Sequence, residues 1–201
     1  MKEDAFGSLR LFLALTVLLG GAYPVAVWGI GRVAFREKAD GGFLRKEEAG
    51  GRPRIVGSAL IGQSFTSKKF FHGRPSAAGD SGYDGIQSGG TNLGPTSKKL
   101  ADSIRERVAA LHAENPSLAG ISLPVPADAV TSSGSGLDPH ISPEYALLQI
   151  PRVSRESRIP AADLEALVAN RTEGRFLGVW GEPRVNVLLL NLDVVARTPT
   201  P

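Results

Sequence analysis

The sequence contains no cysteine and only three histidines among its 201 residues. The absence of cysteine excludes disulfide bonds, thiolate zinc sites and cysteine nucleophiles. The histidines, His72, His112 and His140, lie far apart in the chain, and none belongs to an H-E-x-x-H or other metal-ligand spacing. We therefore predict no metal site.

A large excess of charge of either sign is also missing. The chain has 23 Lys and Arg residues against 20 Asp and Glu, a formal net charge of +3, and the two signs are interspersed. Proteins that bind nucleic acid gather their basic residues into a patch or stripe. We therefore expect no nucleic-acid partner, and the length indicates one domain, or one domain with an appendage.

One long stretch, residues 11–31 (LFLALTVLLGGAYPVAVWGIG), carries no charge and lies between Arg10 and Arg32. Its length allows a helix to cross ~30 Å of hydrocarbon. A cleaved signal peptide is the alternative. However, the stretch is longer than the usual apolar region of such peptides, and its sequence AVWGIG is a poor cleavage site. We predict a retained anchor and four segments: a short cytoplasmic tail at 1–10, a transmembrane helix at 11–31, a juxtamembrane linker at 32–53 and a soluble domain at 54–201.

The basic residues on either side of this stretch predict an orientation. Lys2 and Arg10 precede it and are offset by two acidic residues. More basic residues follow it, namely Arg32, Arg36, Lys38, Arg45 and Lys46. Taken alone, the positive-inside rule puts the large C-terminal part in the cytoplasm.

Helical periodicity is clearest over residues 98–114, where apolar side chains recur at i, i+4, i+8 and i+11. Thr96 or Ser97 can cap the start of this helix, and Asn115-Pro116 ends it. Two further helices are predicted, one from Pro143 with Ser142 as its cap, and one over 161–170.

Two short apolar runs, residues 55–61 and 185–195, favour strands, the second because it is rich in β-branched side chains. Residues 66–95 form a long stretch rich in Gly, Ser and Asp, in which Phe70, Phe71 and Tyr83 indicate packing against the rest of the domain. Strands and helices in irregular order predict a small α+β domain behind the single transmembrane helix.

The stretch SSGSGLDPHISPEYA, residues 132–146, brings Ser135, Asp138 and His140 together within six residues. These are the side-chain types of a serine-hydrolase triad, so a membrane-anchored serine hydrolase is an alternative hypothesis. Ser135 lacks the G-x-S-x-G elbow, however, and triad members usually come from distant segments. A turn shaped by Asp138 before Pro139 explains the stretch better.

Two glycine-rich turns, residues 88–91 and 94–98, precede the helix predicted at 98–114. Neither fits the phosphate-binding pattern G-x-x-x-x-G-K-[ST]. Turn amides at a helix start can hold an anion, but a turn that caps the helix is the simpler interpretation. By its own residues the chain indicates no enzyme chemistry, and it has the character of an anchored domain that contacts a partner.

Five blocks of sequence follow the apolar stretch in a fixed order: GSALIGQSF, KKFFHGRPSA, SGGTNLGPTS, PVPADAVTSSGSGLDPHISPEYALLQIPRV and GEPRVNVLLLNL. Together they resemble the C subunit of the Kdp potassium-transporting ATPase, the KdpC family. The resemblance extends from the anchor to Val195. Thr91 departs from it, because the family has serine at this position of SGGSN.

The resemblance implies an accessory subunit without a catalytic site or a tightly bound cofactor. Its partners would be a K⁺-binding subunit and a P-type ATPase subunit, and it would be needed for assembly and activity of the high-affinity K⁺ uptake complex. The family is described as a catalytic chaperone that raises the ATP affinity of the pump subunit.

The resemblance also implies a location and a nucleotide contact. It places the single-pass chain in the bacterial inner membrane with its domain outside the cytoplasm, against the charge count above. Ser88, Gly89 and Gly90 resemble part of the signature loop of ABC transporters and so would contact ATP. Thr91 stands where that loop has glutamine.

Overall fold

The computed structural model describes residues 2–46, 51, 53–115 and 124–198. The chain divides into two compact units, Met1–Phe43 and Leu44–Pro201. The four segment boundaries predicted from the sequence stay predictions.

The first unit is built on one long apolar helix. Its parts are α1 (Lys2–Val17), a π-helical turn (Leu18–Ala22) and α2 (Tyr23–Ala34), followed by a short α3 (Arg36–Ala39). From Glu3 to Ala34 the helix is long and apolar enough to cross a membrane. This confirms the N-terminal apolar helix predicted from the sequence.

The π-helical turn lies where Gly20, Gly21 and Pro24 interrupt the helix-forming sequence. The Tyr23 N–H donates to the Leu18 carbonyl five residues earlier, rather than four. Proline has no N–H and its ring crowds the carbonyl of the preceding turn, so a regular α-helix is disfavoured here. A widened turn lets the helix continue through this point.

The second unit is a small α+β domain, as predicted. Its elements in chain order, the first of which starts at the last residue of the first unit, are β1 (Phe43–Lys46), β2 (Arg54–Ser58), α4 (Lys98–Glu114), α5 (Ala127–Val130), β3 (His140–Ile141), α6 (Pro143–Ser157), α7 (Ala161–Arg171), β4 (Thr172–Glu173), β5 (Arg184–Asn186) and α8 (Val187–Arg197). Strands β1 and β2 form one sheet, and β3, β5 and β4 form a second in that order. Both pairings of the second sheet are antiparallel, with His140 opposite Asn186 and Thr172 opposite Val185.

The hydrophobic core of the domain is formed mainly by α6, α7, α8 and β5. Val153, Leu164, Val185, Leu190 and Val194 have no exposed surface. Each comes from the apolar face of its element, so burying these faces against one another holds the three helices on the central strand.

All three helices predicted for the domain are present. Helix α4 begins after Ser97, whose Oγ accepts from the Leu100 N–H, and it ends at Asn115. Pro116 lies outside the described residues. Helix α6 begins at Pro143 with Ser142 as its cap, and α7 covers the range predicted at 161–170 with one further residue.

The strand predicted over 185–195 is wrong for most of its length. Of the residues in this range, only Val185 and Asn186 belong to β5, and α8 starts at Val187. The Asn186 Oδ1 caps α8 by accepting from the Leu189 N–H at 3.2 Å, so this one residue ends the strand and starts the helix. The strand predicted over 55–61 is shorter than expected, because β2 ends at Ser58.

Candidate functional site

The stretch that resembles a catalytic triad is a turn held by Asp138. One carboxylate oxygen accepts from the His140 backbone N–H at 3.0 Å, and the other accepts from Arg74 Nη1 at 3.1 Å. The His140 ring Nδ1 lies 3.6 Å from the first of these oxygens. Burial alone would raise the pKa of Asp138, but the hydrogen bonds from His140 and Arg74 outweigh it and hold this pKa below its ordinary value. The ionised Asp138 carboxylate therefore stabilises the turn through these hydrogen bonds.

Ser135 does not join Asp138 and His140 in a relay. Its Oγ accepts from the Leu137 N–H at 3.1 Å, a bond within the turn. In the part of the chain that the structure describes, no hydrogen bond connects Ser135 to His140. A nucleophilic serine needs its base within hydrogen-bond reach, so these residues form a structured turn and the geometry gives no support to the serine-hydrolase alternative.

The segment Ser88–Gly90 packs directly against this turn. The Ser135 carbonyl accepts from the Gly89 N–H at 2.8 Å and from the Ser88 hydroxyl at 2.9 Å. A Cβ on Gly90 would lie only 2.9 Å from the Gly134 carbonyl oxygen. Gly90 is therefore needed for the close approach of the two loops, and the Gly89 amide is already used inside the chain.

Gly136 completes the same junction from the other side. It adopts φ +68°, and a Cβ there would lie 2.7 Å from the Gly89 carbonyl oxygen. Its own carbonyl accepts from the Ser76 hydroxyl at 2.6 Å. The predicted triad turn and the predicted nucleotide segment are thus one structural unit, which the sequence did not reveal.

Tyr83 fixes the neighbouring part of the long loop. Its hydroxyl donates to the Arg74 carbonyl at 2.6 Å, and its ring lies where a Cβ on Gly62 or Gly73 would clash. Burial, reinforced by the negative charge of Asp138, raises the pKa of Tyr83 to about 12. The phenol therefore stays protonated and keeps its donor at physiological pH.

Residues 66–75 have no regular secondary structure, and two buried amide side chains satisfy their backbone. Asn191 accepts from the Phe71 N–H at 2.8 Å and donates to the Phe71 carbonyl at 2.9 Å. Gln149 does the same for His72, at 2.7 and 3.1 Å. These side chains provide the bonds that a neighbouring strand would otherwise provide.

A buried guanidinium extends this arrangement. The side chain of Arg152 is 1% exposed and donates to the carbonyls of Lys68 and Phe70. Its Nε lies 3.6 Å from the Glu114 carboxylate, and His72 Nδ1 lies 3.7 Å from the same oxygen. Burial, together with the positive charge of Arg152, lowers the pKa of His72 from its ordinary value of 6.5.

A cavity of about 670 Å³ opens beside the Asp138 turn. Its ionisable lining residues are Arg74, Asp128, Asp138, His140, Glu144, Glu182 and Arg184. Several of these groups already have partners; for example, the Asp128 carboxylate accepts from both the backbone N–H and the hydroxyl of Ser142. Among the described residues no cluster of three or more His, Asp or Glu side chains is arranged to hold a metal ion.

The surface carries one further feature that sequence reasoning missed, a hairpin between β4 and β5. Its tip presents four large apolar side chains to solvent: Phe176, Leu177, Val179 and Trp180. The available signal was FLGVW, a run of apolar residues around a single glycine, with Arg175 directly before it and Gly181-Glu182 after it. In a folded domain such a run is normally buried, so its exposure indicates a contact surface.

Comparison with known proteins matches almost the whole chain. A family model described as "KdpC: K+-transporting ATPase, c chain" covers residues 5–196. A Koribacter versatilis protein named "Potassium-transporting ATPase KdpC subunit" is 46% identical over 100% of this chain and 98% of its own length. Proteins of the same name from Rhodopseudomonas palustris and Methylorubrum extorquens are each 49% identical, over 98% and 94% of this chain and over 99% and 94% of their own lengths.

Proposed function

Because the chain belongs to the KdpC family, the c chain of the K⁺-transporting ATPase, we propose that it promotes assembly of this pump and raises the ATP affinity of its P-type ATPase subunit. The match over residues 5–196 is the observation that carries the proposal. The chain is an accessory subunit rather than the catalytic one, so its contribution is to binding and assembly. The turn at Ser135, Asp138 and His140 agrees with this role, because its polar groups bond within the domain.

The proposed partners are the K⁺-binding subunit and the P-type ATPase subunit of the same membrane complex. The apolar helix at Glu3–Ala34 is long enough to place the chain in the bacterial inner membrane beside them. We place the C-terminal domain outside the cytoplasm, packed on the K⁺-binding subunit, as the family resemblance implies. The basic residues after the helix favour the opposite orientation, but that rule is statistical and a subunit assembled with partners can be oriented by them.

This location determines how the chain would act on ATP affinity. A domain outside the cytoplasm cannot touch cytoplasmic ATP, so its effect must pass through partner subunits as a coupling free energy. The bond from the Gly89 N–H to the Ser135 carbonyl supports the indirect route, because this amide is engaged inside the domain. Direct contact of ATP with Ser88, Gly89 and Gly90 is the competing proposal and requires a cytoplasmic domain.

An ATP titration of the purified pump tests the proposed function. Removing this chain should raise the dissociation constant for ATP, measured by nucleotide binding to the pump, by roughly 5- to 150-fold, the usual range of allosteric coupling. The matched control is a complex that contains the Ser135→Ala variant, which should titrate like the wild type because Ser135 contacts no reacting group. An unchanged ATP dependence after removal of the chain would contradict the chaperone role, and loss of activity with Ser135→Ala would revive the hydrolase alternative.

A further inference from the structure

The tip of the hairpin between β4 and β5 exposes four large apolar side chains to solvent. The exposed fractions are 70% for Phe176, 73% for Leu177, 67% for Val179 and 63% for Trp180. Single exposed apolar residues are common on protein surfaces, but four large ones on a five-residue tip form a continuous patch. Aromatic side chains of this kind dominate the energetics of protein interfaces.

Backbone hydrogen bonds hold the tip in one conformation. The Phe176 N–H donates to the Trp180 carbonyl at 2.8 Å, and the Trp180 N–H donates back to the Phe176 carbonyl at 3.0 Å. The Gly178 N–H donates to the Arg175 carbonyl at 3.0 Å. Leu177 and Gly178 both adopt positive φ, 51° and 74°, which is sterically unfavourable for leucine. A tip that is already ordered loses little conformational entropy when it binds a partner.

Paired charges surround the base of the hairpin. Arg175 Nη2 lies 2.7 Å from the Glu182 carboxylate, and Arg184 Nη2 lies 2.9 Å from the Glu173 carboxylate. The charges cancel, and no lysine lies between residues 172 and 186. Amphipathic helices that lie in a bilayer interface are rich in Lys and Arg on their polar face and are attracted to anionic lipids, whereas both arginines here are paired with a glutamate. An apolar centre with a polar, neutral rim is instead the composition of a protein interface.

We propose that the tip formed by Phe176, Leu177, Val179 and Trp180 docks into an apolar recess on another polypeptide subunit of the ATPase. The proposal rests on the proposed function, because membership in a multisubunit complex supplies the partner. The recess must accept two aromatic rings at its centre and must offer polar groups at its edge to the Arg175–Glu182 pair. The patch is then covered in the assembled pump and exposed only in the isolated chain.

A photo-crosslinker at the tip identifies what covers it. In cells that express the whole complex, Trp180→p-benzoylphenylalanine should give an adduct between this chain and a second polypeptide of the pump. The same crosslinker at Ile86, which is 96% exposed on a different loop, serves as the matched control and should give far less of that adduct. Crosslinking of Trp180 to lipid alone, or no adduct in a complex that co-purifies normally, would overturn the proposal.

A reconstitution titration measures the contribution of the tip. Purified full-length chain is added to pump prepared without it, and the concentration that gives half-maximal recovery of ATPase activity is recorded. For the double variant Phe176→Ser/Trp180→Ser, this half-maximal concentration should rise at least roughly 30-fold, the effect expected of a hot spot. For Ile86→Ser it should stay within about twofold of the wild-type value. Circular dichroism checks that each variant is folded.

The two outcomes of this titration separate the proposals. If wild-type chain fails to restore activity at any concentration, the proposed function fails. If wild type restores activity and the double variant does so at the same concentration, the function stands and the docking proposal is wrong.

Discussion

At the scale of single residues, the domain depends on polar side chains buried in its core. Asn191 and Gln149 each bond both backbone groups of a residue in the long loop, and Arg152 donates to two more carbonyls there. The sequence could not predict these contacts, because Asn191 and Phe71 are 120 positions apart. In the sequence, Asn191 is only a polar residue within the apolar run 185–195, and nothing there indicates which backbone groups it bonds.

Replacing Asn191 by leucine should strongly destabilise the domain. The substitution leaves the buried N–H and carbonyl of Phe71 without partners, which should lower the free energy of unfolding by about 2–5 kcal/mol. Chemical denaturation of the detergent-solubilised full chain measures the change. Asn170→Leu is the matched control, because Asn170 is exposed on α7, and it should change stability by less than about 0.5 kcal/mol. Equal effects of the two variants would show that the Phe71 bonds contribute nothing.

His72 should make the stability of the domain depend on pH. Burial and the charge of Arg152 lower the pKa of His72 below 6.5 in the folded chain, whereas the unfolded chain keeps the ordinary value. The folded state therefore binds fewer protons, and the contribution is fully present above pH 6.5. As the pH falls from 6.5 to the lowered pKa, this contribution is lost.

Denaturation curves recorded between pH 7.5 and about pH 5 test this assignment. Wild type should lose stability across this window, and His72→Gln should lose less. His112→Gln serves as the control and should keep the wild-type slope. Identical slopes in wild type and His72→Gln would assign the pH dependence to other groups.

At the scale of secondary-structure elements, local sequence predicted helices well where a cap and a period agreed. Helix α4 has the predicted bounds, because Ser97 caps a clear amphipathic repeat. The apolar, β-branched composition of 185–195 predicts a strand, and that prediction is wrong for most of the run. The buried residues Val187, Leu190, Asn191 and Val194 follow helical spacing, so the period of the run indicates the helix that its composition does not.

The loop junction is the element that the sequence described least well. Ser135 and Gly89 were predicted as parts of two different sites, but the structure joins them with a backbone hydrogen bond. Glycine-rich segments have no periodicity, so nothing in the sequence indicated which loops would meet. The prediction that the long loop packs against the domain is confirmed by Phe71, which has no exposed surface.

Two neighbouring glycines allow the junction to be tested. Gly136→Ala introduces a Cβ at φ +68° and places it 2.7 Å from the Gly89 carbonyl oxygen. Positive φ alone costs about 1–2 kcal/mol for a non-glycine residue, and the clash adds to it, so the free energy of unfolding should fall by about 2–4 kcal/mol. Gly134→Ala is the control, because a Cβ there meets nothing within 4 Å. Denaturation of both variants gives the comparison, and equal stabilities would contradict the packed junction.

At the scale of the whole molecule, the chain is a KdpC-family subunit with one apolar helix and one small α+β domain. The family and its accessory role could be predicted from the order of the sequence blocks, and the fold class from the apolar stretch and the irregular order of the predicted strands and helices. The exposed hairpin could not, because exposure is a property of the folded domain and FLGVW alone predicts burial. An apolar tip held by backbone hydrogen bonds, on an accessory subunit with a helix long enough to cross a membrane, is suited to assembly with partner subunits.

Determining on which side of the membrane the domain lies tests this account most directly. Two reporters are fused after Pro201 in turn, in cells that also express the partner subunits. Alkaline phosphatase, which is active only outside the cytoplasm, should be active there. A fluorescent protein that folds only in the cytoplasm should give no fluorescence. Fusion of the same reporters before Lys2 supplies the opposite control, because residues 1–10 are proposed to be cytoplasmic. A cytoplasmic signal after Pro201 would contradict docking from outside and would favour direct contact of ATP with Ser88, Gly89 and Gly90.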